Sequence, residues 1–326
     1  MFKILALGLD ELFLQKLSHH LPRNCRLIIP SSMEEEEPLH LVGDIDIVVS
    51  MKVSGNLIKS APKLKMIQST GSGVDGIDID VATEREVIVC STTGLNAIPA
   101  AEHVTALMLA LAKNITKYDR MLRNKVWLRM PSSLLNKKTL GVVGLGSIGR
   151  MVVKRAKPFG MKVIAIKRRP SEELRLKLGI DFLGGRDDLT KILRESDFIV
   201  LSLPLTPETR KLIGERELRM MKKTAYLVNV SRGEVVDEEA LIKILKEEVI
   251  AGAGLDIFYN EPINSDNPLL RLENVVFTPH VAGGAYIEQI VDARAQFIVQ
   301  NIKRLMKGKK PKKIVDPILK YVITKS

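Results

Sequence analysis

One short segment limits the fold more than any other. The apolar strand Leu140-Gly141-Val142-Val143 runs into Gly144-Leu145-Gly146-Ser147-Ile148-Gly149, and a helix over Ile148–Phe159 follows. Each glycine has its own task in that setting: Gly144 permits a tight turn, Gly146 lets the backbone approach an anion, and Gly149 lets helix and strand pack closely. The helix start adds unsatisfied N–H groups and the positive end of a dipole. A bare Gly-x-Gly-x-x-Gly occurs in many folds, including methyltransferases. Between a strand and a helix it points to a parallel sheet that holds a dinucleotide at its carboxyl edge.

The rest of the chain repeats that alternation in two blocks. In the first, strands are expected at Lys3–Leu7, Arg26–Ile29, Asp46–Ser50, Met66–Ser69 and Val87–Cys90, with helices at Asp10–Leu21, Gly55–Ser60 and Ile79–Glu84. Glu34–Glu37 before Pro38 reads as a charged loop. In the second block, strands are expected at Thr139–Val143, Met161–Ile166, Asp181–Leu183, Asp197–Leu203, Ala225–Val230, Ala253–Ile257 and Val275–Thr278. Helices at Leu189–Glu195, Glu215–Met221 and Asp237–Lys246 join Ile148–Phe159 there. Strands alternating with helices form a parallel sheet covered on both faces. Between the blocks lies Ala97–Lys113, apolar on nearly every side and therefore expected between domains or between subunits. A helix over Ala285–Met306 leads away, and Lys313–Asp316 is placed to return as an edge element. The expected division is 1–97 with 285–326 as one domain and 98–284 as the other.

Bulk properties narrow the function classes. A chain of 326 residues with 45% apolar content suits two cores. No apolar run reaches the ~20 residues of a membrane span, and Met1–Gly8 reads as a first strand, not a signal peptide. Cys25 and Cys90 lack metal or redox spacing, so no metal and a reduced, cytoplasmic setting are expected. The net charge of +12 raises nucleic-acid binding as a rival. Aromatics at 4% leave few stacking platforms, and the run Lys307, Lys309, Lys310, Lys312, Lys313 reads as a solvated face. Neither nucleic acid nor membrane is expected as a partner.

Three polar residues then follow strands, in order. Arg232 sits in Asn229-Val230-Ser231-Arg232-Gly233, Glu261 in Asp256-Ile257-Phe258-Tyr259-Asn260-Glu261-Pro262, and His280 in Thr278-Pro279-His280-Val281-Ala282-Gly283-Gly284. All three therefore belong to the carboxyl edge of one sheet, where doubly wound folds bind ligands. An arginine fork suits a carboxylate. An imidazole changes charge near neutrality, and a neighbouring carboxylate would favour its protonated form and hold one tautomer. Taken singly, each has a structural explanation; in this order they describe hydride transfer to a 2-oxoacid, with His280 moving the proton.

At these residues the chain resembles the D-isomer-specific 2-hydroxyacid dehydrogenase family, which includes glyoxylate/hydroxypyruvate reductases, D-lactate dehydrogenases and phosphoglycerate dehydrogenases. The likeness runs from about Lys63 to Gly284. It takes in Gly71-Ser72-Gly73-Val74-Asp75-Gly76-Ile77-Asp78, Ala101-Glu102-His103 and Leu203-Pro204-Leu205-Thr206-Pro207-Glu208-Thr209. It implies an α/β protein with a doubly wound Rossmann nucleotide domain inserted in a smaller flavodoxin-like α/β substrate domain. It further implies that Arg232, Glu261 and His280 are catalytic, and that Ser72 and Gly73, with Arg232 and His280, meet the substrate. Gly144, Gly146, Ser147, Ile148 and Gly149 would then hold the pyrophosphate, Asp256 the nicotinamide amide, and Pro204, Thr209, Val230 and Gly283 would border the cofactor. The chain departs from the family at Lys167-Arg168-Arg169, where many relatives carry an acid. Three cations there favour NADP(H), with NAD(H) also accepted.

The expected reaction is reduction of a small acid such as glyoxylate or hydroxypyruvate. A phosphoglycerate dehydrogenase is the alternative, disfavoured because so little chain follows Gly308 and because Val48–Val53 has Lys52 but no arginine. A dinucleotide-sensing regulatory protein is the alternative of another class. A homodimer is expected from the apolar Ala97–Lys113 helix.

Overall fold

The computed structural model describes residues 1–30 and 36–315. Two compact units divide the chain: Met1–Asn96 together with Gly284–Ser326, and Ala97–Gly283.

The first unit begins β1 (Phe2–Ala6), α1 (Glu11–His20), β2 (Cys25–Ile28), α2 (Glu36–Leu41), β3 (Ile47–Val49), α3 (Gly55–Ser60), β4 (Met66–Gln68), α4 (Ile79–Glu84) and β5 (Ile88–Cys90). Its helices start where a short polar side chain can cap them. Asp10 accepts from the Phe13 N–H at 2.8 Å, Ser54 from Leu57 at 3.2 Å and Asp78 from Val81 at 3.1 Å. The five strands are parallel in the order β2-β1-β3-β4-β5, the flavodoxin-like arrangement. Central β3 and β4 are buried along their whole length, so they read as unbroken apolar runs rather than alternating ones.

The second unit contains α5 (Ala97–Ala112), α6 (Ile115–Arg123), β6 (Thr139–Val143), α7 (Ser147–Ala156), β7 (Lys162–Ile166), α8 (Glu172–Leu178), β8 (Phe182–Gly184), α9 (Leu189–Glu195), β9 (Phe198–Leu201), α10 (Glu215–Arg219), β10 (Tyr226–Asn229), α11 (Glu238–Lys246), β11 (Gly252–Leu255) and β12 (Val275–Phe277). Seven parallel strands run β12-β11-β10-β9-β6-β7-β8. Counted from β6 this is the doubly wound order 3-2-1-4-5-6 with one strand added, and the order reverses between β6 and β9. The chain then returns to the first unit as α12 (Glu288–Met306). There α12 lies along α1, with Lys16–Glu288 at 2.6 Å and His20–Asp292 at 2.8 Å. Asn301, fully buried, donates to Gln68 Oε1 at 2.8 Å and accepts from the Lys312 N–H at 2.8 Å. That clamp leads Ile314 into an antiparallel bridge with Cys90, the edge return expected for the tail; Asp316 lies outside the described residues.

Several local expectations are corrected. Glu36 and Glu37 open α2 instead of lying in a loop, while Glu34 and Glu35 lie outside the described residues. The helix expected to Phe159 ends at Ala156 and tightens into a 3-10 turn at Lys157–Phe159, because Pro158 has no N–H to continue it. Helices α6 and α8 were not anticipated. Neither buries a residue fully; α6 nevertheless carries an apolar period in Ile115, Tyr118, Met121 and Leu122, and Ser171 and Gly179 bracket α8 as cap residues. The apolar helix α5 needs no second subunit to account for most of its surface. Ala101, Val104, Leu107, Met108 and Leu111 pack into the core of its own unit with Leu140, Val142 and Val228, and its large exposed apolar side chain is Ile98.

Candidate active site

The Gly-rich turn lies at the β6–β9 reversal. Gly144 has φ +100°, and a Cβ there would stand 2.6 Å from the Ser202 carbonyl oxygen, so the first glycine is required twice over. Ser202, just after β9, donates its hydroxyl to the Gly144 carbonyl at 2.6 Å and ties the two strand ends together. A Cβ on Gly149 would strike the Gly144 carbonyl. Gly146 differs from both: it is exposed, and no protein atom lies within 4 Å of where its Cβ would be. Packing does not demand this glycine; open space in front of the first turn of α7 is what it leaves.

The neighbouring loops complete the rim. Thr209 accepts from the Thr206 N–H at 2.7 Å and donates to the Pro204 carbonyl at 2.8 Å, which closes the segment after β9 into a compact loop. After β7, Lys167 donates its backbone N–H to Gly184 at 3.1 Å and is half-buried, while Arg168 and Arg169 are exposed. No acid stands at the end of this strand.

Three consecutive strand ends bring Arg232, Glu261 and His280 to one edge. After β10, Asn229 is buried and its side chain accepts from Ser231 and donates to the Arg232 carbonyl at 2.9 Å, which sets the turn. A Cβ on Gly233 would collide with the Phe258 carbonyl, so glycine alone lets the β10 and β11 loops approach so closely. Glu261 takes the Phe258 N–H at 3.1 Å on one oxygen and meets His280 Nδ1 at 2.6 Å on the other. Burial pushes the Glu261 carboxyl up. The hydrogen bonds from His280 and the Phe258 N–H, with the charges of His280 and Arg232, outweigh that and hold it below the usual glutamate range.

Asp256, at the end of β11, is 1% exposed. Its Oδ1 accepts from the Thr278 hydroxyl at 2.6 Å and the Val281 N–H at 3.0 Å, and its Oδ2 accepts from the Ala282 N–H at 2.9 Å. A carboxylate has about four acceptor positions. Three therefore meet protein donors. In the first unit, the loop after β4 is held by Ser69, whose hydroxyl donates to the Gly73 carbonyl at 2.9 Å, and by Ser72, which donates to Asn96 at 2.8 Å. Among the described residues no hydrogen bond is donated by the backbone N–H of Ser72 or Gly73.

Residues 105–282 match the family model for the D-isomer specific 2-hydroxyacid dehydrogenase NAD binding domain. The chain belongs to the D-isomer specific 2-hydroxyacid dehydrogenase family. It is 40% identical over 300 residues to a glyoxylate reductase of Thermococcus litoralis, covering 88% of each chain. It is also 40% identical over 293 residues to a D-3-phosphoglycerate dehydrogenase of Methanocaldococcus jannaschii, where the match takes 88% of this chain but spans only 55% of the relative. A glyoxylate reductase structure from Paecilomyes thermophila superposes with a TM-score of 0.85 at 26% identity, over 97% of this chain and 98% of that one.

For a member of this dehydrogenase family, an oxidoreductase with a nicotinamide dinucleotide-binding domain, the β6 turn fits the group it must hold. Gly146 opens onto solvent at the N-terminus of α7, and a pyrophosphate is an anion that such an end stabilises. Sequence reasoning missed two polar residues that the structure joins to this edge, Thr278 and His103, whose side chains meet at 2.8 Å. Both lie in segments that carry the family likeness. Nothing in either segment signals a pairing across 175 positions. Among the described residues there is no helix long and apolar enough to cross a membrane and no cluster of His, Cys, Asp or Glu able to hold a metal.

Proposed function

We propose that the chain reduces a small 2-oxoacid, glyoxylate or hydroxypyruvate, to the D-2-hydroxyacid, with NADPH preferred over NADH and Arg232, Glu261 and His280 as its catalytic residues. The observation that carries this reading is the 2.6 Å pair between Glu261 and His280 Nδ1 at the carboxyl edge that also bears Arg232. With Nδ1 engaged, Nε2 is the nitrogen left to carry the transferred proton. The bound nicotinamide supplies the hydride. Arg232 presents a planar fork to the substrate carboxylate, and the backbone N–H groups of Ser72 and Gly73 are the second carboxylate contact. Glu261 stabilises the imidazolium before it gives its proton to the carbonyl oxygen.

The proposed cofactor contacts are Gly144, Gly146, Ser147, Ile148 and Gly149 at the pyrophosphate, Pro204, Thr209, Val230 and Gly283 along the rim, and the remaining acceptor position of Asp256 at the nicotinamide amide. Lys167, Arg168 and Arg169 take the ribose 2′-phosphate. The expected molecule is a homodimer in a cytoplasmic setting. Support for the second copy comes less from α5 than from the segment after α6, where Val126, Leu128 and Leu134 are exposed and Trp127 is 80% exposed. Trp127 is the single tryptophan, so its emission reports burial directly. Trp127→Asp should yield monomers by light scattering, and an unmodified protein that is monomeric at micromolar concentration contradicts the dimer.

The testing experiment is a steady-state assay over glyoxylate, hydroxypyruvate, pyruvate and 3-phosphohydroxypyruvate with each cofactor. Highest kcat/KM for glyoxylate or hydroxypyruvate is expected. A preference for the phosphorylated acid would shift the assignment to phosphoglycerate dehydrogenase, with Lys52 as the phosphate contact.

A further inference from the structure

We propose that Thr278 and His103 are positioning residues for His280, acting through the buried carboxylate of Asp256; this rests on the reading of His280 as the proton carrier.

The hydrogen-bond directions follow from the atoms. Thr278 Oγ1 carries one proton. It lies 2.6 Å from Asp256 Oδ1, an acceptor only, so the hydroxyl donates there. His103 Nε2 lies 2.8 Å from the same hydroxyl oxygen and must therefore be the donor to it. Nε2 of His103 also stands 3.4 Å from Asp256 Oδ1. A directed chain results, from His103 Nε2–H to Thr278 Oγ1–H to Asp256, and it fixes the proton on Nε2 of His103.

What this chain holds is the backbone around His280. His280 has φ +53°, the left-handed region that a residue with a Cβ disfavours. Its own N–H is anchored on the Asp256 carbonyl at 2.7 Å. The two N–H groups that follow, Val281 and Ala282, both point to the Asp256 carboxylate. Asp256 thus grips three successive amides, and its charge is buried at the end of β11. A buried carboxylate keeps one orientation only while donors surround it. Thr278 supplies a further donor to Oδ1, the oxygen that also takes the Val281 N–H, and His103 holds the Thr278 hydroxyl in place. His103 comes from α5, which packs in the same core as β6 and β10, so the orientation of His280 is referred back to a helix buried in the core of the unit.

Thr278→Val keeps shape and loses the hydroxyl; Thr278→Ser keeps the hydroxyl. His103→Leu removes the outer donor; His103→Gln retains an N–H at similar reach. Thr278→Val and His103→Leu should each lower kcat at least tenfold, with KM for the 2-oxoacid and Kd for the dinucleotide within about threefold of the unmodified protein. Thr278→Ser and His103→Gln should restore kcat to within about threefold. A misplacement of about 1 Å at a reacting group is enough for an effect of this size. Amide hydrogen exchange at Val281 and Ala282, measured without substrate, should accelerate at least tenfold in the two disrupted variants and not in the two conservative ones. Unchanged exchange and unchanged kcat in both Thr278→Val and His103→Leu would overturn the proposal while leaving His280 as proton carrier. Accelerated exchange in a protein that reduces no 2-oxoacid would support the strut and defeat the functional reading instead.

Discussion

The two edges of the seven-stranded sheet are built on different terms. At the carboxyl edge, the loop after β6 is tied to that after β9, and the loop after β11 to that after β12, by side chains at 2.6–3.0 Å, and a histidine is kept in a left-handed conformation. At the amino edge, a cleft of about 500 Å³ opens beside the starts of β10 and β12, lined by Lys117, Lys246, Arg271, Tyr226, Glu273 and Asn274. Its ion pair, Lys117–Glu273 at 3.2 Å, joins two exposed side chains. Charge alone would not separate the edges, since both are rich in it. Over-determination does: at one edge the buried Asp256 carboxylate takes three protein donors and Glu261 takes two, while at the other the charges face water, where a pair contributes about 0–1 kcal/mol.

The largest test of that contrast is His280→Asn. It should lower kcat by about 10²-fold or more, the range of a general acid–base group, with little change in dinucleotide affinity measured by fluorescence titration. Near-normal turnover would remove His280 from the chemistry. Arg232→Lys keeps the charge and loses the fork. One charge-assisted hydrogen bond is worth about 1.5–3 kcal/mol, so kcat/KM for the 2-oxoacid should fall roughly 10- to 150-fold. If only cofactor binding weakens, Arg232 belongs to the dinucleotide site.

Smaller effects sharpen the picture at the rim. Lys167→Asp combined with Arg168→Ala should erase a preference for NADPH of about tenfold, measured as the ratio of kcat/KM values at low salt. A ratio near one in the unmodified enzyme would make the basic run ordinary surface. Glu261 sets the acid side of the profile. Its carboxyl is held low when folded, so its pairing is in place above the ordinary glutamate range near ~4.3 and is lost only as pH falls through the depressed value. Reduction should therefore persist to acid pH in the unmodified enzyme. In Glu261→Gln the imidazolium loses its anion, and the alkaline fall in rate should move to lower pH; coincident profiles would uncouple the two residues. At the other edge, Lys117→Met should change kcat/KM less than twofold, and a larger loss would show that the amino edge takes part.

The contrast also explains what could be read from the chain. Strand cores such as Ile47–Val49 and Tyr226–Asn229 were legible because a buried parallel strand is a short unbroken apolar run. Gly144 and Gly149 were legible because a tight turn and the close packing of helix on strand leave no alternative residue, whereas the close approach that requires Gly233 appears only in the structure. Arg232, Glu261 and His280 stood out because their segments follow strands in a fixed order. Helices α6 and α8 were less legible because they are short: α6 has an apolar period in Ile115, Tyr118, Met121 and Leu122 but over only 9 residues, and α8 has 7. Thr278 and His103 escaped because a hydrogen bond between distant segments leaves no mark in either one. Asp256 was visible as a residue, but its three protein donors were not.

The central claim is that the carboxyl edge carries out hydride transfer to a 2-oxoacid with His280 Nε2 supplying the proton. The most direct measurement follows loss of the reduced nicotinamide absorbance with hydroxypyruvate, identifies the product's hand by chiral chromatography, and compares the unmodified protein with His280→Asn. The account predicts turnover to D-glycerate and about a hundredfold or greater loss in the variant at unchanged dinucleotide affinity. Turnover equal in both proteins, or none with any 2-oxoacid and either cofactor, would contradict it.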